Sequence, residues 1–278
     1  MKIAVLSDIH GNEAALDACL AHAAAQGAER YLFLGDYAGE LPWPERVMDR
    51  LYALRAHFPC VFIRGNKEDY WLNADPAWRA GDSTTGMLWY NMRQLRPEDL
   101  DFYRTLPMRD AWLDLTLCHG TPERINGKML PGEEDTFALM ARDPNPVILC
   151  GHSHHQAAIL HGGRQALNPG SVGVPLGCGG KAQYLLLEGA PGSWQRRFFS
   201  LAYDAEGEIE AMRAAGLFHI APAWSRITAH VLRGGAASHA QALARAMEIC
   251  QRQNGSCVWP RIPEDCWRQA MAELGIAN

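Results

Sequence analysis

Five short apolar runs, each followed within a few residues by a carboxylate, amide or imidazole side chain, recur along the first two thirds of this chain. The runs are Ile3–Leu6, Tyr31–Leu34, Cys60–Ile63, Leu113–Leu117 and Val147–Cys150. Segments of helical composition, Ala14–Gln26 and Trp43–His57, separate the first three runs. Short buried runs that alternate with helices predict an α/β unit in which parallel strands are covered by helices.

The rest of the chain divides into a mixed region and a helical end. Further helices are predicted over Ser83–Leu95, Pro97–Thr105, part of Pro131–Arg142, Glu206–Ala215, Ala236–Gln253 and Glu264–Leu274. Two apolar segments, Ala182–Glu188 and Trp194–Ser200, flank a turn that contains glycine and proline, which predicts a hairpin. A second, more antiparallel sheet packed on the first fits this pattern. We place a domain boundary at residue 203, with a helical appendage over residues 204–278.

Composition limits the classes of partner. The chain has 278 residues, 48% of them hydrophobic, and a formal net charge of -5. An acidic balance disfavours binding to long nucleic acid, which needs a basic surface. No run of apolar residues is long enough to span a bilayer, so no membrane association is expected. The eight cysteines form no C-x-x-C pair and are expected to be reduced thiols, which predicts a cytoplasmic protein.

Seven polar residues at the ends of the predicted strands are candidate metal ligands. They are Asp8, His10, Asp36, Asn66, His119, His152 and His154. In open α/β sheets, ligands bind beyond the carboxyl ends of the strands, so these side chains are expected to share one rim. Glycines beside them allow sharp turns and close approach of the backbone.

The types of ligand indicate the metal and its number. Four histidines, two aspartates and one asparagine suit divalent ions such as manganese, zinc or iron. The absence of cysteine from this set argues against an iron–sulfur cluster or a thiolate zinc site. Seven ligands exceed what one tetrahedral ion needs. They suit two ions about 3.5–4 Å apart, a spacing that can clamp the attacking and leaving oxygens of a phosphoryl transfer.

These motifs resemble those of the calcineurin-like metallophosphoesterase superfamily, in its small bacterial phosphodiesterase-like branch. In order, they are Asp8-Ile9-His10-Gly11-Asn12, Gly35-Asp36, Gly65-Asn66, His119-Gly120 and Gly151-His152-Ser153-His154. The loop Asn168-Pro169-Gly170-Ser171-Val172 is also similar to one in the small bacterial branch. The resemblance implies a two-layer β-sandwich flanked by helices, with residues 1–203 as the catalytic domain.

The resemblance also implies a role for each ligand. One ion is expected on Asp8, His10 and His154, and the other on Asn66, His119 and His152. Asp36 is expected to bridge the two ions, and a hydroxide between them to attack phosphorus. The residues expected to be catalytic are Asp36, His10 and Asn66. Manganese is the first expectation for both ions, with zinc, iron and nickel as alternatives. Phosphate contacts are expected from Asn12 and Arg64.

One departure leaves the substrate open. Many protein phosphatases of the superfamily have histidine directly after the motif asparagine, where this chain has Lys67, so the group that protonates the leaving oxygen is unidentified. We expect a small-molecule phosphodiester, a nucleotide or a dinucleoside polyphosphate as substrate, and a phosphomonoesterase or protein phosphatase is the alternative. A non-catalytic scaffold is the rival from another class, and the complete ligand set argues against it. A homo-oligomer stays open, and so does the role of the appendage, which is expected to cap the site or form a dimer interface.

Overall fold

A computed structural model describes residues 1–277, in which ten strands form two five-stranded sheets. The strands are β1 Lys2–Leu6, β2 Arg30–Phe33, β3 Cys60–Phe62, β4 Arg109–Trp112, β5 Leu115–Cys118, β6 Val147–Leu149, β7 Gln156–His161, β8 Arg164–Pro169, β9 Ala182–Glu188 and β10 Gln195–Leu201. The first sheet has the order β10-β9-β1-β2-β3 and the second β4-β5-β6-β8-β7. In each sheet three strands run parallel: β1, β2 and β3, and β5, β6 and β8.

Helices cover both outer faces and form the C-terminal end. They are α1 Glu13–Ala25, α2 Pro44–His57, α3 Asn66–Leu72, α4 Gly86–Gln94, α5 Pro97–Thr105, α6 Glu134–Arg142, α7 Ala205–Ala214, α8 Leu217–Ile220, α9 Pro222–Leu232, α10 His239–Asn254 and α11 Glu264–Glu273. None of the helices in the described part of the chain is both long and apolar enough to cross a bilayer.

The two sheets pack face to face, and β1 shows how its sequence serves both layers. Ile3 and Val5 join a core that includes Leu117 and Leu149 of the second sheet. Their neighbours on β1, including Leu6, face the opposite way into the core beneath α1 and α2. This follows from the two-residue period of a strand, which sends successive side chains to opposite faces. A continuous apolar run is therefore what a strand buried on both faces requires.

The α-β-β-α architecture confirms the predicted fold class, but the predicted hairpin lies in the first sheet and not in the second. Strand β9 pairs antiparallel with β1, so the hairpin of β9 and β10 lengthens the first sheet. The second sheet is mixed and is completed by β4, β7 and β8, which the sequence did not predict. The side chains of β7 are mostly exposed or half-buried. Such an edge strand lacks the continuous apolar run by which the central strands were found.

The C-terminal helices have an apolar core of their own and also pack on the sheet region. Helices α9, α10 and α11 surround a cluster that includes Trp267 and Ile249. A second cluster joins Ile209 and Leu217 of this end to Leu41 and Met87 of the preceding region. The boundary at residue 203 stays a prediction, since the shared cluster ties residues on both sides of it together.

Candidate metal centre

The carboxyl ends of β1, β2, β5 and β6 meet at one rim, as the sequence predicts. The backbone amide of Asp8 donates to the carbonyl of Gly35, which links the loops after β1 and β2. The amide of Gly151 donates to the carbonyl of His119 at 2.7 Å, which links the loops after β5 and β6. Main-chain hydrogen bonds of this kind fix the loops relative to one another, so the side chains they bear converge.

Five of the seven candidate ligands have a backbone conformation that side-chain-bearing residues seldom adopt. Within residues 1–277, six residues other than glycine have positive φ, and all but Leu113 are candidate ligands. Those five are Asp8, His10, Asp36, His152 and His154, with φ between 54° and 63°. This left-handed region costs on the order of 1–3 kcal/mol per residue, and its clustering is typical of functional sites. The backbone strain lowers the stability of the fold, and in return these five side chains are directed toward one site.

Asp8, His10 and His154 form the first group of converging ligand atoms. The Nε2 atoms of His10 and His154 lie 3.2 Å apart. Asp8 Oδ1 lies 3.3 Å from Nε2 of His154 and 3.8 Å from Nε2 of His10. Asp8 Oδ1 is buried, and among the described residues it has no hydrogen-bond partner. A buried carboxylate oxygen and two imidazole nitrogens that point at one another fit a shared cation.

Asp8, Asp36 and His119 form the second group. His119 Nε2 lies 3.5 Å from Asp36 Oδ1 and 3.0 Å from Asn66 Oδ1. The other oxygen of Asp36, Oδ2, lies 3.8 Å from His10 Nε2. Asp36 therefore presents one oxygen to each group. Asp8 also belongs to both, since its Oδ1 lies 3.9 Å from His119 Nε2.

His152 lies at the edge of this arrangement. Its ring is 5.1 Å from the ring of His119, but its nitrogens join neither of the two groups. Its backbone amide donates to Asp8 Oδ2 at 3.1 Å. Burial lowers the pKa of His152 to about 3, with a further contribution from His119, so the ring is neutral near pH 7. Neutral imidazole is the form that binds metal ions.

The ring orientation of each inner histidine is fixed through its other nitrogen. His119 Nδ1 hydrogen bonds to the carbonyl of Leu34 at 2.7 Å, and His154 Nδ1 to the carbonyl of Val174 at 2.8 Å. A carbonyl can only accept, so both Nδ1 atoms donate, and in the neutral ring each Nε2 atom has a free lone pair. That tautomer directs the metal-binding nitrogen of each ring into the shared space.

The two aspartates respond to this crowding in opposite directions. Burial opposes ionisation of Asp8, but the neighbouring His154, His119 and His10 hold its pKa well below the ordinary value. Burial raises the pKa of Asp36 to about 6; His10 opposes this rise, and the adjacent Asp8 carboxylate adds to it. Two carboxylates at such close range cannot both ionise cheaply without added positive charge. A divalent cation supplies that charge, so the donor set fits the metal ions that the sequence predicts.

Glu68 is a buried carboxylate whose role the sequence did not reveal. Its Oε2 accepts from the backbone amides of Gly65 and Asp36, and its Oε1 accepts from the amide of Tyr37. It thereby joins the loop that carries Asp36 to the start of α3, where Asn66 lies. Gly65 also allows a close approach, since a Cβ there would lie 2.2 Å from Asp36 Oδ1. Glu68 is therefore structural, and its signal in the sequence is its place at the third position of α3.

The loop after β8 supports Asp8 from behind. The Ser171 hydroxyl donates to the backbone carbonyl of Asp8 at 2.7 Å, and the amide of Gly173 donates to the same carbonyl at 2.9 Å. Val174, on this loop, is the residue whose carbonyl orients His154. This loop includes the motif Asn168-Pro169-Gly170-Ser171-Val172. It holds the first group in position but supplies no ligand atom to it.

The side chains of the two residues predicted to contact phosphate have different contacts within the protein. Asn12 is fully buried: its Oδ1 caps α1 at the amide of Ala15, and its Nδ2 donates to the carbonyl of Gly173 and to the Tyr203 hydroxyl. These contacts use its amide for structure and give no support to a phosphate contact. Arg64 is half-buried, with its Nε 3.5 Å from Asp69 Oδ1. Both phosphate contacts stay predictions.

Known structures share this double-sheet fold. Protein PH1004 of Pyrococcus horikoshii OT3, described as hypothetical, superposes with a TM-score of 0.72 over 85% of this chain and 99% of its own, at 21% identity. A metallophosphoesterase from Sphaerobacter thermophilus gives a TM-score of 0.66 over 78% of this chain and 95% of its own, at 24% identity. The fold is therefore that of the metallophosphoesterases.

Sequence comparison gives the family. Residues 1–190 match the family model of the calcineurin-like phosphoesterase superfamily domain. The phosphodiesterase YfcE of Escherichia coli strain K12 is 30% identical over 199 residues, which span 68% of this chain and 88% of that protein. The chain belongs to the calcineurin-like phosphoesterase superfamily and is a phosphoesterase, a hydrolase of phosphate ester bonds. The family implies divalent metal ions, for which the two groups above are the candidate sites.

Proposed function

We propose that this protein binds two divalent metal ions, manganese first among them, and hydrolyses a phosphodiester bond in a small molecule. The observation that carries the proposal is the pair of ligand groups that share Asp8 and are spanned by Asp36. Donor atoms that belong to two groups are suited to hold two cations close together, and such pairs serve phosphoryl transfer.

The proposed ligands combine the two groups with Asn66 and His152. Asp8, His10 and His154 would hold one ion, while Asn66, His119 and His152 would hold the other, with Asp36 between them. The support is strongest for the six candidate ligands other than His152, because their donor atoms converge. For His152, the support is the position of its ring beside the ring of His119. When bound, such ions lower the pKa of water toward 7 and neutralise charge on phosphoryl oxygens.

The protein itself supplies direction and a dry environment. The backbone carbonyls of Leu34 and Val174 hold the protons on the far nitrogens of His119 and His154, so the near nitrogens stay available as ligands. Asp8, His10, Asp36 and His119 are almost fully buried, which strengthens their attraction to a cation. Oriented ligands in a site that excludes bulk water need little reorganisation as charge develops on the substrate.

Several features favour a small-molecule phosphodiester over other substrates. The curated relative that shares 30% identity is named a phosphodiesterase. Lys67 replaces the histidine of many protein phosphatases, and its ammonium is held by Glu40 at 2.6 Å, inside the structure. The net charge of -5 disfavours long nucleic acid. We also propose a cytoplasmic location, in keeping with eight cysteines that are all free thiols.

Hydrolysis of bis(p-nitrophenyl) phosphate in the presence of Mn²⁺ tests the proposal. Wild type should turn over, and Asp36→Asn should lose about 10²–10³-fold in kcat, the loss typical of one removed electrostatic group. Asp101→Asn, a change at an exposed carboxylate that pairs with Arg104 and belongs to neither ligand group, is the matched control and should behave as wild type. No turnover by wild type with any divalent ion, together with no effect of Asp36→Asn on metal content, would instead favour a scaffold. A parallel panel with a phosphomonoester and a dinucleoside polyphosphate ranks the substrate classes.

A further inference from the structure

The helices after residue 203 reach the candidate metal centre through one aromatic side chain. Trp224, on α9, donates from its indole nitrogen to Glu40 Oε1 at 3.3 Å. Its ring also lies 5.8 Å from the Lys67 ammonium, within the range of a cation–π contact. Neither Glu40 nor Trp224 belongs to a motif of the family resemblance.

Glu40 joins this tryptophan to a candidate ligand. Its side chain is 4% exposed, and its two oxygens have separate partners. Oε2 lies 2.5 Å from His10 Nδ1, and Oε1 lies 2.6 Å from the Lys67 ammonium. A buried carboxylate is costly unless it is paired. Lys67 supplies the charge pairing, while the close contact with His10 lies outside hydrogen-bond geometry. Together with Trp224, these partners come from three separate parts of the chain.

The contact with Glu40 falls on the far nitrogen of His10. The near nitrogen, Nε2, is the atom that faces Asp8, Asp36 and His154. A carboxylate on the far nitrogen of a metal-binding histidine fixes the ring and makes it a more basic ligand. The backbone leaves room for this geometry only because residue 39 is glycine, since a Cβ there would lie 2.4 Å from His10 Nδ1.

Trp224 is itself held on two further sides. The His239 ring, on α10, lies 4.8 Å from the Trp224 ring, and the Trp267 ring, on α11, lies 5.9 Å away. His239 Nε2 is in turn 2.9 Å from the Thr228 hydroxyl. Three helices of the C-terminal end therefore fix the position of the indole nitrogen that meets Glu40.

We propose that the C-terminal helices are part of the active site, with Trp224 and Glu40 as positioning residues that orient His10 toward a bound cation. The proposal rests on the proposed function in one respect, that His10 binds metal. It gives the appendage a role in metal affinity. It also explains why Lys67 is unavailable as a simple replacement for the phosphatase histidine, because its ammonium serves Glu40.

The test compares Glu40→Gln, Trp224→Phe and a matched control, Trp259→Phe. Trp259 lies in the same helical region, is 41% exposed and stacks on Tyr70 rather than on Glu40. The metal-free proteins are titrated calorimetrically with Mn²⁺, and circular dichroism verifies the fold. Glu40→Gln should weaken the affected site about 10- to 100-fold. Trp224→Phe, which loses one hydrogen bond, should weaken it about two- to tenfold. Trp259→Phe should match wild type.

Turnover supplies the second measurement. With bis(p-nitrophenyl) phosphate, raising the Mn²⁺ concentration should restore kcat in both variants, because all ligands are still present. A purely structural defect would not be corrected by metal.

The inference is overturned if Trp224→Phe and Trp259→Phe bind Mn²⁺ equally, or if kcat stays low at saturating Mn²⁺. Trp224→Phe decides the matter if Glu40→Gln does not fold. Failure of the proposed function is distinct: wild type would then bind Mn²⁺ but hydrolyse no diester, while the order of the affinities would still test the positioning role. Wild type that binds no Mn²⁺ would overturn both.

Discussion

His119 and His10, one from each group of the candidate metal centre, are oriented by different means. On one side, His119 is fixed by the backbone carbonyl of Leu34, which lies directly after β2 of the other sheet. On the other, His10 is fixed by the Glu40 side chain, which in turn depends on Lys67 and on Trp224, 184 residues away from Glu40 in sequence. The His119 ring is thus set by a backbone carbonyl of the opposite sheet, and the His10 ring by a chain of side chains. We expect the first to tolerate changes in the C-terminal helices and the second to be sensitive to them.

The largest effect is expected from a change that breaks both sides at once. Asp8 would hold one ion, and its Oδ1 also lies 3.9 Å from His119 Nε2 at the other, so Asp8→Asn should weaken both ions and lower kcat for bis(p-nitrophenyl) phosphate by at least about 10²–10³-fold. Elemental analysis of the purified variant should show less metal than in wild type, with circular dichroism to verify the fold. Loss of one ion alone, with the other at full occupancy, would show that Asp8 serves a single side.

Substitutions at two glycines, Gly65 and Gly39, should affect the two sides differently. A Cβ at Gly65 would lie 2.4 Å from the backbone nitrogen of Asp36, whereas a Cβ at Gly39 would lie 2.4 Å from the His10 ring. Backbone cannot move aside as a ring can. Gly65→Ala should therefore lower the free energy of unfolding by about 1–3 kcal/mol, as overpacking does. Gly39→Ala should cost less stability but weaken Mn²⁺ binding on the His10 side. Urea unfolding and metal titration measure the two effects, and a larger loss of stability in Gly39→Ala would contradict the distinction.

The same contrast explains how far the sequence could predict this protein. Asp8, Asp36 and His119 each follow a buried apolar run by one to three residues, so local pattern was enough to find them and to place them at one rim. The double-sheet fold followed from the same runs and from the family resemblance. Prediction from local pattern succeeds where a residue's position in a strand decides its position in space.

The parts that were missed depend on contacts between distant residues. Glu40 and Trp224 have no local pattern, because each acquires its role only when the C-terminal helices pack beside the loop after β2. Ser171 lies in a motif that the resemblance singled out, but its bond to the Asp8 carbonyl could not be read from spacing. Helix α9, which carries Trp224, was also not predicted. Tertiary packing rather than local propensity accounts for these positions.

The smallest effect on turnover is expected at Asn12, two residues beyond His10. Its side chain caps α1 and bonds to Gly173 and Tyr203, all within the structure. Asn12→Ala should therefore lower the free energy of unfolding by about 1–2 kcal/mol, the cost of a lost helix cap, while KM for the diester stays unchanged. Urea unfolding and steady-state kinetics measure the two quantities. A rise in KM without a loss of stability would instead assign Asn12 to the phosphate. In that case the residues close to His10 would include Asn12, which contacts the substrate, as well as Glu40, which orients the ring.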